Sequence, residues 1–329
     1  MAQARGSKTR LLIDTETTFK STRGSPDAHV LPFVSETLRL NRNIIESRTI
    51  RSSRNPSVPV RGNTDVSGDI TVELSPYMGK MLFHALGTFT TSGSSTYSHT
   101  FTISELPPGL TIETQFTDLT TPQYFRYNGC KVNSMRLTFK PEGFVDTVFN
   151  IIGAVATVTT TSFDSSPVDY TSSSVGGPFD GYEAAIYEGG NLLGTVTGLD
   201  ISIENNLDGN VYVLDGTGQR YSLPEGLVKV SGTLTALFED VTLYNKAANN
   251  QESSLRIVLT HGTGDGSAYN EKLEIYIDEL LYQPQSPVIN GPEGILVELP
   301  FIGYYQNGSG ASAIRFILWN TQTANDIQN

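Results

Sequence analysis

Cysteine occurs once in the 329 residues, at Cys130, and tryptophan once, at Trp319. A lone thiol excludes disulfides within the chain and makes a reducing cytoplasm the expected place of folding. No apolar run approaches the 18 or so residues that a membrane-spanning helix needs, so no membrane partner is expected. Met1 to Lys20 lacks the uninterrupted apolar core of a secretion signal and reads as a polar arm. Histidine is scarce too. His29, His84, His99 and His261 stand far apart, none with a metal-ligand partner at a familiar spacing, so no metal and no cofactor is expected. His-Glu-x-x-His, Gly-x-Ser-x-Gly and the Walker phosphate loop are missing. With no catalytic constellation, an enzyme is not the expected reading. Glu271 and Glu274 are paired carboxylates, but neighbouring acids on a strand usually form a solvated face. Gly262 to Gly266 superficially resembles a dinucleotide loop; no helix pattern follows it, so it reads as a turn.

Positive charge is also short. Net charge is −12, and residues 181–329 carry all of it, with 6 Lys/Arg against 18 Asp/Glu; residues 1–180 are balanced. So acidic a chain does not hold nucleic acid through phosphate contacts, which need clustered cations. It can repel nucleic acid from a surface that must stay free of it. One basic island stands out, with Arg42, Arg48, Arg51, Arg54 and Arg61 against Glu46 alone.

What the chain has in quantity is alternation and repetition. Period-two apolar patterns mark Thr37–Asn41, Val66–Leu74, Asn133–Phe139, Leu199–Ile203, Val230–Phe238, Lys272–Ile277 and Ile295–Leu299, separated by Gly, Pro, Asn and Ser clusters. Two short helices are expected. One is capped by Ser75 and begins at Pro76; the other opens at Glu239-Asp240 and closes at Asn249-Asn250. Val66-Ser67-Gly68 returns as Val230-Ser231-Gly232, Leu38-Arg39-Leu40 as Ile201-Ser202-Ile203, Pro141-Glu142-Gly143 as Pro292-Glu293-Gly294, and Ile152-Gly153 as Ile302-Gly303. The order is kept while the offset shrinks slowly from 164 to 150. A period this long signals tandem domains and not a solenoid. The expected organisation is an N-terminal arm (1–30), a first domain (31–160), a linker (161–182), a second domain (183–320) and a C-terminal tail (321–329). The stretch between Asn41 and Val66 is long and polar, a hairpin able to project ~30 Å. Gly93–Ser98 reads as a loop tip found only in the first copy. Cys130 reads as a small buried residue, His84 as a polar helix position, and Asn307-Gly308-Ser309 as a β-turn in spite of its sequon form.

Gly109-Leu110-Thr111-Ile112-Glu113, the tract Tyr124 to Met135 with Gly129-Cys130-Lys131-Val132 inside it, Pro141-Glu142-Gly143-Phe144 and Ile152-Gly153 together resemble the tail tube (major tail) proteins of long-tailed bacteriophages. Arg61-Gly62 to Leu74 followed by a short helix resembles the same family's strand–helix junction. The second copy departs from the pattern, with Glu279-Leu280-Leu281-Tyr282 where Gly-Cys-Lys-Val is expected. The resemblance implies a mainly β chain of two tandem sandwich or half-barrel domains, each with one flanking helix and a projecting loop. It also implies a virion protein, assembled in the host cytoplasm, whose rings stack into a hollow tube that conducts DNA during genome ejection. A single-domain member closes as a hexamer; a duplicated one is expected to close as a trimer with pseudo-sixfold symmetry. Expected partners are further copies of the chain, a tape-measure protein and terminator or tip proteins at the ends, with viral DNA passing unbound. The alternative is a receptor-binding or adhesive β-module of a tail tip.

Alternation then divides the strands. Val66, Ile70, Val72 and Leu74, with Val230, Leu234, Ala236 and Phe238, are expected in the core. Asp69, Thr71, Glu73, Ser231, Thr233 and Thr235 are expected to face the lumen, joined by Asp146, Asn150, Asp200, Glu204 and Glu298. The basic loop is expected to meet the neighbouring ring through Arg42, Arg48, Arg51, Arg54 and Arg61, with Val58 and Val60 as an apolar anchor.

Overall fold

The structure, a computed structural model, describes residues 3–170, 176–289, 291–292, 294–306 and 312–329. The sequon at Asn307–Ser309 and residues 171–175 of the expected linker lie outside the described residues. In the first half the elements are β1 (Thr9–Glu16), β2 (His29–Val30), β3 (Ser35–Glu36), β4 (Arg39–Ile45), β5 (Val60–Glu73), α1 (Gly79–Leu86), β6 (Gly87–Gly93), β7 (Tyr97–Ile103), β8 (Gly109–Phe116), β9 (Gln123–Phe139), β10 (Asp146–Gly153) and β11 (Val155–Thr159). The second half supplies β12 (Ala184–Glu188), β13 (Asn191–Leu192), β14 (Val196–Glu204), β15 (Lys229–Leu237), α2 (Thr242–Ala248), β16 (Ser253–Thr260), β17 (Lys272–Tyr282), β18 (Leu296–Gly303), β19 (Arg315–Asn320) and α3 (Ala324–Gln328).

The alternating strands assemble into one antiparallel sheet in the order β4–β5–β10–β9–β14–β15–β18. The inner strands bury alternate side chains, because successive side chains leave a pleated strand on opposite faces, whereas β4 at the edge is exposed throughout. Val66, Ile70, Val72, Leu74, Val230, Leu234 and Ala236 are in the core. Phe238, expected with them, is only half-buried and follows the end of β15. β9 is long enough to serve two sheets. Its first half pairs with β8 and β11, and β8 carries β1, while its second half lies between β10 and β14.

The repeat is kept residue by residue in the pairing. Leu40 faces Val66 across β4–β5 as Ile203 faces Val230 across β14–β15. Ile152 faces Lys131 as Ile302 faces Leu281, so Glu279–Tyr282 does stand where Gly129–Val132 stands in the first half. Even the close approaches repeat. A Cβ on Gly68 would fall 2.5 Å from the Thr37 carbonyl oxygen, and one on Gly232 2.2 Å from that of Asp200. Glycine is required there because neighbouring backbone occupies the side-chain position.

Several elements differ from the sequence reading. The stretch read as an N-terminal arm supplies β1, paired along its whole length with β8 and buried from Leu11 to Glu16. The stretch read as a C-terminal tail supplies α3, whose Ile327 is buried. α1 begins at Gly79 and not at Pro76. A Cβ on Gly79 would lie 2.8 Å from Ile327, so packing against α3 fixes where the helix enters. Gly93–Ser98 holds the turn of hairpin β6–β7, and β7 extends the second half's sheet by pairing with β19. The linker is tied down where it is described, since Val168 exchanges backbone hydrogen bonds with Ala28 and Val30. Gly262, Gly264 and Gly266 have positive φ in a turn, and Cys130 is buried.

Beneath α1 lies a buried polar cluster. Lys80 Nζ donates to the Asp27 carbonyl oxygen at 2.8 Å and stands 3.8 Å from the Asp14 carboxylate. His84, read as a polar helix position, faces the core, with Nε2 3.0 Å from the Thr15 hydroxyl. Burial, helped by the Lys80 charge, pushes His84 and His29 down to about 3. Burial pushes Asp14 up to about 6, against the pull of Lys80. Between pH 6.5 and 3 the unfolded chain takes protons at both histidines that the folded chain refuses. Their contribution is complete above 6.5 and lost on acidification. Asp14 acts in the opposite sense, since its folded carboxyl gains a proton at higher pH than the unfolded one. Two histidines outweigh one carboxyl. The urea midpoint is therefore expected to be lower at pH 5 than at pH 7, and His84→Gln to reduce that difference; a midpoint unchanged between the two would contradict this cluster's role.

Candidate lumen face and assembly edges

One face of the long sheet packs on the core; the other is open and polar. Across it run rows of opposed residues. Glu73 faces Asp146, which faces Thr138, then Asp200, then Thr233. A second row runs from Asp69 through Asn150 and Ser134 to Glu204, and Thr235 faces Glu298. Thr71 and Ser231 occupy the same face by alternation, and none of the eleven expected lumen residues is buried. The fold thus brings residues from both halves onto a single surface.

That surface also carries cations that the sequence reading missed. Arg136 lies opposite Ser202, with Nη2 3.2 Å from Asp200. Lys140 stands 3.3 Å from Asp146, and Lys229 3.7 Å from Glu204. Thr138 donates to Asp200 at 2.6 Å, and Asn150 to Asp69 at 2.7 Å. Each of these three cations therefore has a carboxylate partner; Arg39, opposite Ser67 on the same face, is exposed with no salt-bridge partner among the described residues, and Asp69, Glu73 and Glu298 are carboxylates left in excess. Arg136 was legible as an outward position in the pattern Met135-Arg136-Leu137. Its partner is 64 residues away and was not.

The basic loop forms the far end of the β4–β5 hairpin, where Ile44 faces Arg61 and Ile45 faces Val60. Arg42, Arg48, Arg51, Arg54, Val58, Val60 and Arg61 are all exposed. Among the described residues none of these arginines has a salt-bridge partner. Ile50 and Val58 are 99% and 86% exposed, an apolar display that a free surface does not require.

The corresponding stretch of the second half, Asn205–Val228, folds back on the first half. Arg220 Nη1 donates to the carbonyls of Val66 and Gly153 at 3.0 and 2.6 Å, and its Nη2 pairs with Asp65. Tyr212 Oη donates to the Thr64 carbonyl, and Lys131 pairs with Glu225 at 2.6 Å.

Glu271 and Glu274 are buried and not solvated. Glu271 accepts from Tyr77 Oη at 2.8 Å and from the backbone N–H groups of Gly176 and Tyr269, and its other oxygen lies 3.3 Å from His261 Nδ1. Burial acts to raise its carboxyl, but these donors outweigh it and the net shift is downward. Glu274 is held by Arg256 at 2.9 Å and by Tyr276. Both ties link strands and segments of the fold. No group of three or more His, Cys, Asp or Glu able to hold a metal occurs among the described residues.

The family model of phage tail tube proteins matches residues 6–303. This chain belongs to the phage tail tube protein family. A comparison with curated proteins finds no match. Membership makes the chain a structural component of the viral tail, and its mainly β fold agrees with that role.

Proposed function

We propose that three copies of this tail tube protein close into a ring with pseudo-sixfold symmetry, and that stacked rings form the channel for viral DNA during ejection. The observation that carries this reading is the long sheet itself. Two register-matched halves, 31–160 and 183–320, lie edge to edge in one chain, as neighbouring subunits of a ring would, and among the described residues the sheet has no further strand beside β4 or beside the part of β18 that precedes its pairing with β17. Joining edges removes the exposed strands that otherwise invite aggregation, and two units per chain halve the number of chains a ring needs. The open polar face lines the lumen. Its carboxylates outnumber its cations, and Arg136, Lys140 and Lys229 are paired, so that Arg39 at the β4 edge is the exposed exception and phosphates find little to hold. The chain assembles in the host cytoplasm, with tape-measure and terminator or tip proteins at the tube ends. Image averaging or mass measurement of assembled tubes tests the symmetry. Three chains per ring are expected, and six would overturn it.

In this reading the β4–β5 hairpin reaches the adjacent ring, where its guanidinium groups meet carboxylates of the acidic second half, with Val58 and Val60 as anchor. Arg suits this contact because its planar fork pairs bidentately with carboxylate. One exposed pair contributes only about 0–1 kcal/mol, but every ring repeats it around the circumference. Single substitutions should be tolerated, whereas Arg48→Ala, Arg51→Ala and Arg54→Ala together should shorten tubes relative to the parent, most at low salt, where the pairs are unscreened. Tubes of parental length from the triple variant at low and high salt would remove these charges from stacking.

A further inference from the structure

We infer that Gln283–Ile289 of one chain adds as a strand along the free edge of Glu36–Asn41 of a second copy, reproducing between chains the β9–β14 junction found within each chain. The inference rests on the ring reading above and specifies its contact. Inside the chain, β14 is flanked on both sides, by β15 and by the outer half of β9, Ser134–Phe139. Its counterpart in the first half, β3 with β4, forms a strand ladder among the described residues with β5 alone; on its outer edge Leu38 is already held, its carbonyl by Tyr127 Oη at 2.9 Å and its N–H by the Glu36 carboxylate, contacts that a new strand would exchange for its own. The outer half of β9 likewise has two neighbours, β10 and β14. Its counterpart follows Tyr282. There Gln283 donates its N–H to the Pro300 carbonyl at 2.7 Å, and the chain to Ile289 then belongs to no strand.

One half thus has an edge without its strand, and the other a segment without its edge. Both carry apolar side chains into solvent, Leu40 at 45%, Val288 at 66% and Ile289 at 76%. In the internal junction the position matching Leu40, Ile203, is buried, whereas Leu38 is buried already, like its match Ile201. A second copy on this edge would bury what the single chain leaves out. Taking three chains with four strands from each half, the closed sheet holds about 24 strands. At ~4.8 Å spacing and ~40° tilt such a barrel is roughly 45–50 Å across between backbones, room for a duplex inside its side chains.

Pro284 and Pro287 distinguish this segment from its counterpart. At the offset of Ile302 from Ile152 they align with Ser134 and Leu137. Proline donates no ladder hydrogen bond and is tolerated at edges. Here the two prolines blunt the segment, so that an isolated chain does not pair indiscriminately and closure waits for the matching edge.

The test is disulfide trapping in the full chain. Leu40→Cys is combined in turn with Pro284→Cys, Gln285→Cys or Ser286→Cys, and the tubes are oxidised; facing positions on antiparallel strands lie ~4.5–5.5 Å apart, within disulfide reach. Cys130 is buried and does not compete. At least one pair is expected to yield covalent oligomers of up to three chains on a denaturing gel. Leu40→Cys with Thr235→Cys, on the lumen face, is expected to yield none. Tubes that form without a crosslink from any of the three pairs would overturn the contact while leaving the ring reading intact. Rings of six chains would overturn both. Restoring the first-half residues, Pro284→Ser with Pro287→Leu, is expected to lower the concentration at which tubes appear by about tenfold, and an unchanged threshold would overturn the blunting role.

Discussion

Replacing Arg220 with alanine is expected to destabilise the folded chain by about 2–5 kcal/mol, chiefly because buried carbonyls lose their donors, since the Asp65 carboxylate left behind is partly solvent-exposed. Arg220 is 6% exposed, and its guanidinium accounts for carbonyl oxygens from three segments. Nε donates to Gly209 at 2.7 Å, holding the loop's own turn. Nη1 donates to Val66 and Gly153, the facing pair that ends the β5–β10 ladder. Nη2 pairs with Asp65. Alanine would leave the Val66 and Gly153 carbonyls without these donors at a dry strand end, and each unmet buried group costs about 1–3 kcal/mol. Arg220→Lys keeps the charge but not the fork and should recover only part of the loss. Urea denaturation of the single chain measures it. A change below about 1 kcal/mol for the alanine variant would show that the Tyr212 and Glu225 contacts hold the loop without the guanidinium.

The same loop shows where sequence reading reaches its limit. Alternation identified β5, β14, β15 and β18, because each has one buried and one open face, and that asymmetry is written in every second residue. The repeat was legible because both halves keep the same small and apolar positions at the same crossings, Gly68 with Gly232 and Ile152 with Ile302. β1 was not legible. Buried from Leu11 to Glu16, it has no polar face to alternate, and Asp14 and Glu16 disguise it as surface. Glu16 is kept inside by donors from Gly129, Asn128, Thr111 and Lys20, four positions that no local pattern connects. The β7–β19 pairing was hidden for the same reason, since partners over 200 residues apart leave no periodic trace. The lumen set was legible as a face, but the charge balance on it was not. That balance depends on which cation each carboxylate meets, as Arg136 meets Asp200.

Reversing the surplus charge on the open face is expected to give the assembled tube a surface that holds DNA, and to show whether that face lines the proposed channel. Asp69, Glu73 and Glu298 are the carboxylates to change, because none has a salt-bridge partner among the described residues and β5 and β18 hold their backbones. Asp69→Lys, Glu73→Lys and Glu298→Lys together remove three anions and add three cations per chain. The pattern repeats in every chain and ring, so a duplex in the channel would meet a continuous array of ammonium groups. Each neutralised phosphate releases condensed counterions, so affinity should be high at low salt and fall steeply as salt rises. The parent tube, whose open face carries more carboxylates than cations and leaves Arg39 without a salt-bridge partner among the described residues, should bind far less than the reversed tube at every salt. Co-sedimentation of tubes with short duplex DNA across a salt series measures this, and nuclease treatment of the pellet locates the DNA. Protected DNA places Asp69, Glu73 and Glu298 on the channel wall. DNA that binds the reversed tubes but is fully digested would place that face on the outside, and the lumen would then have to be sought on another surface.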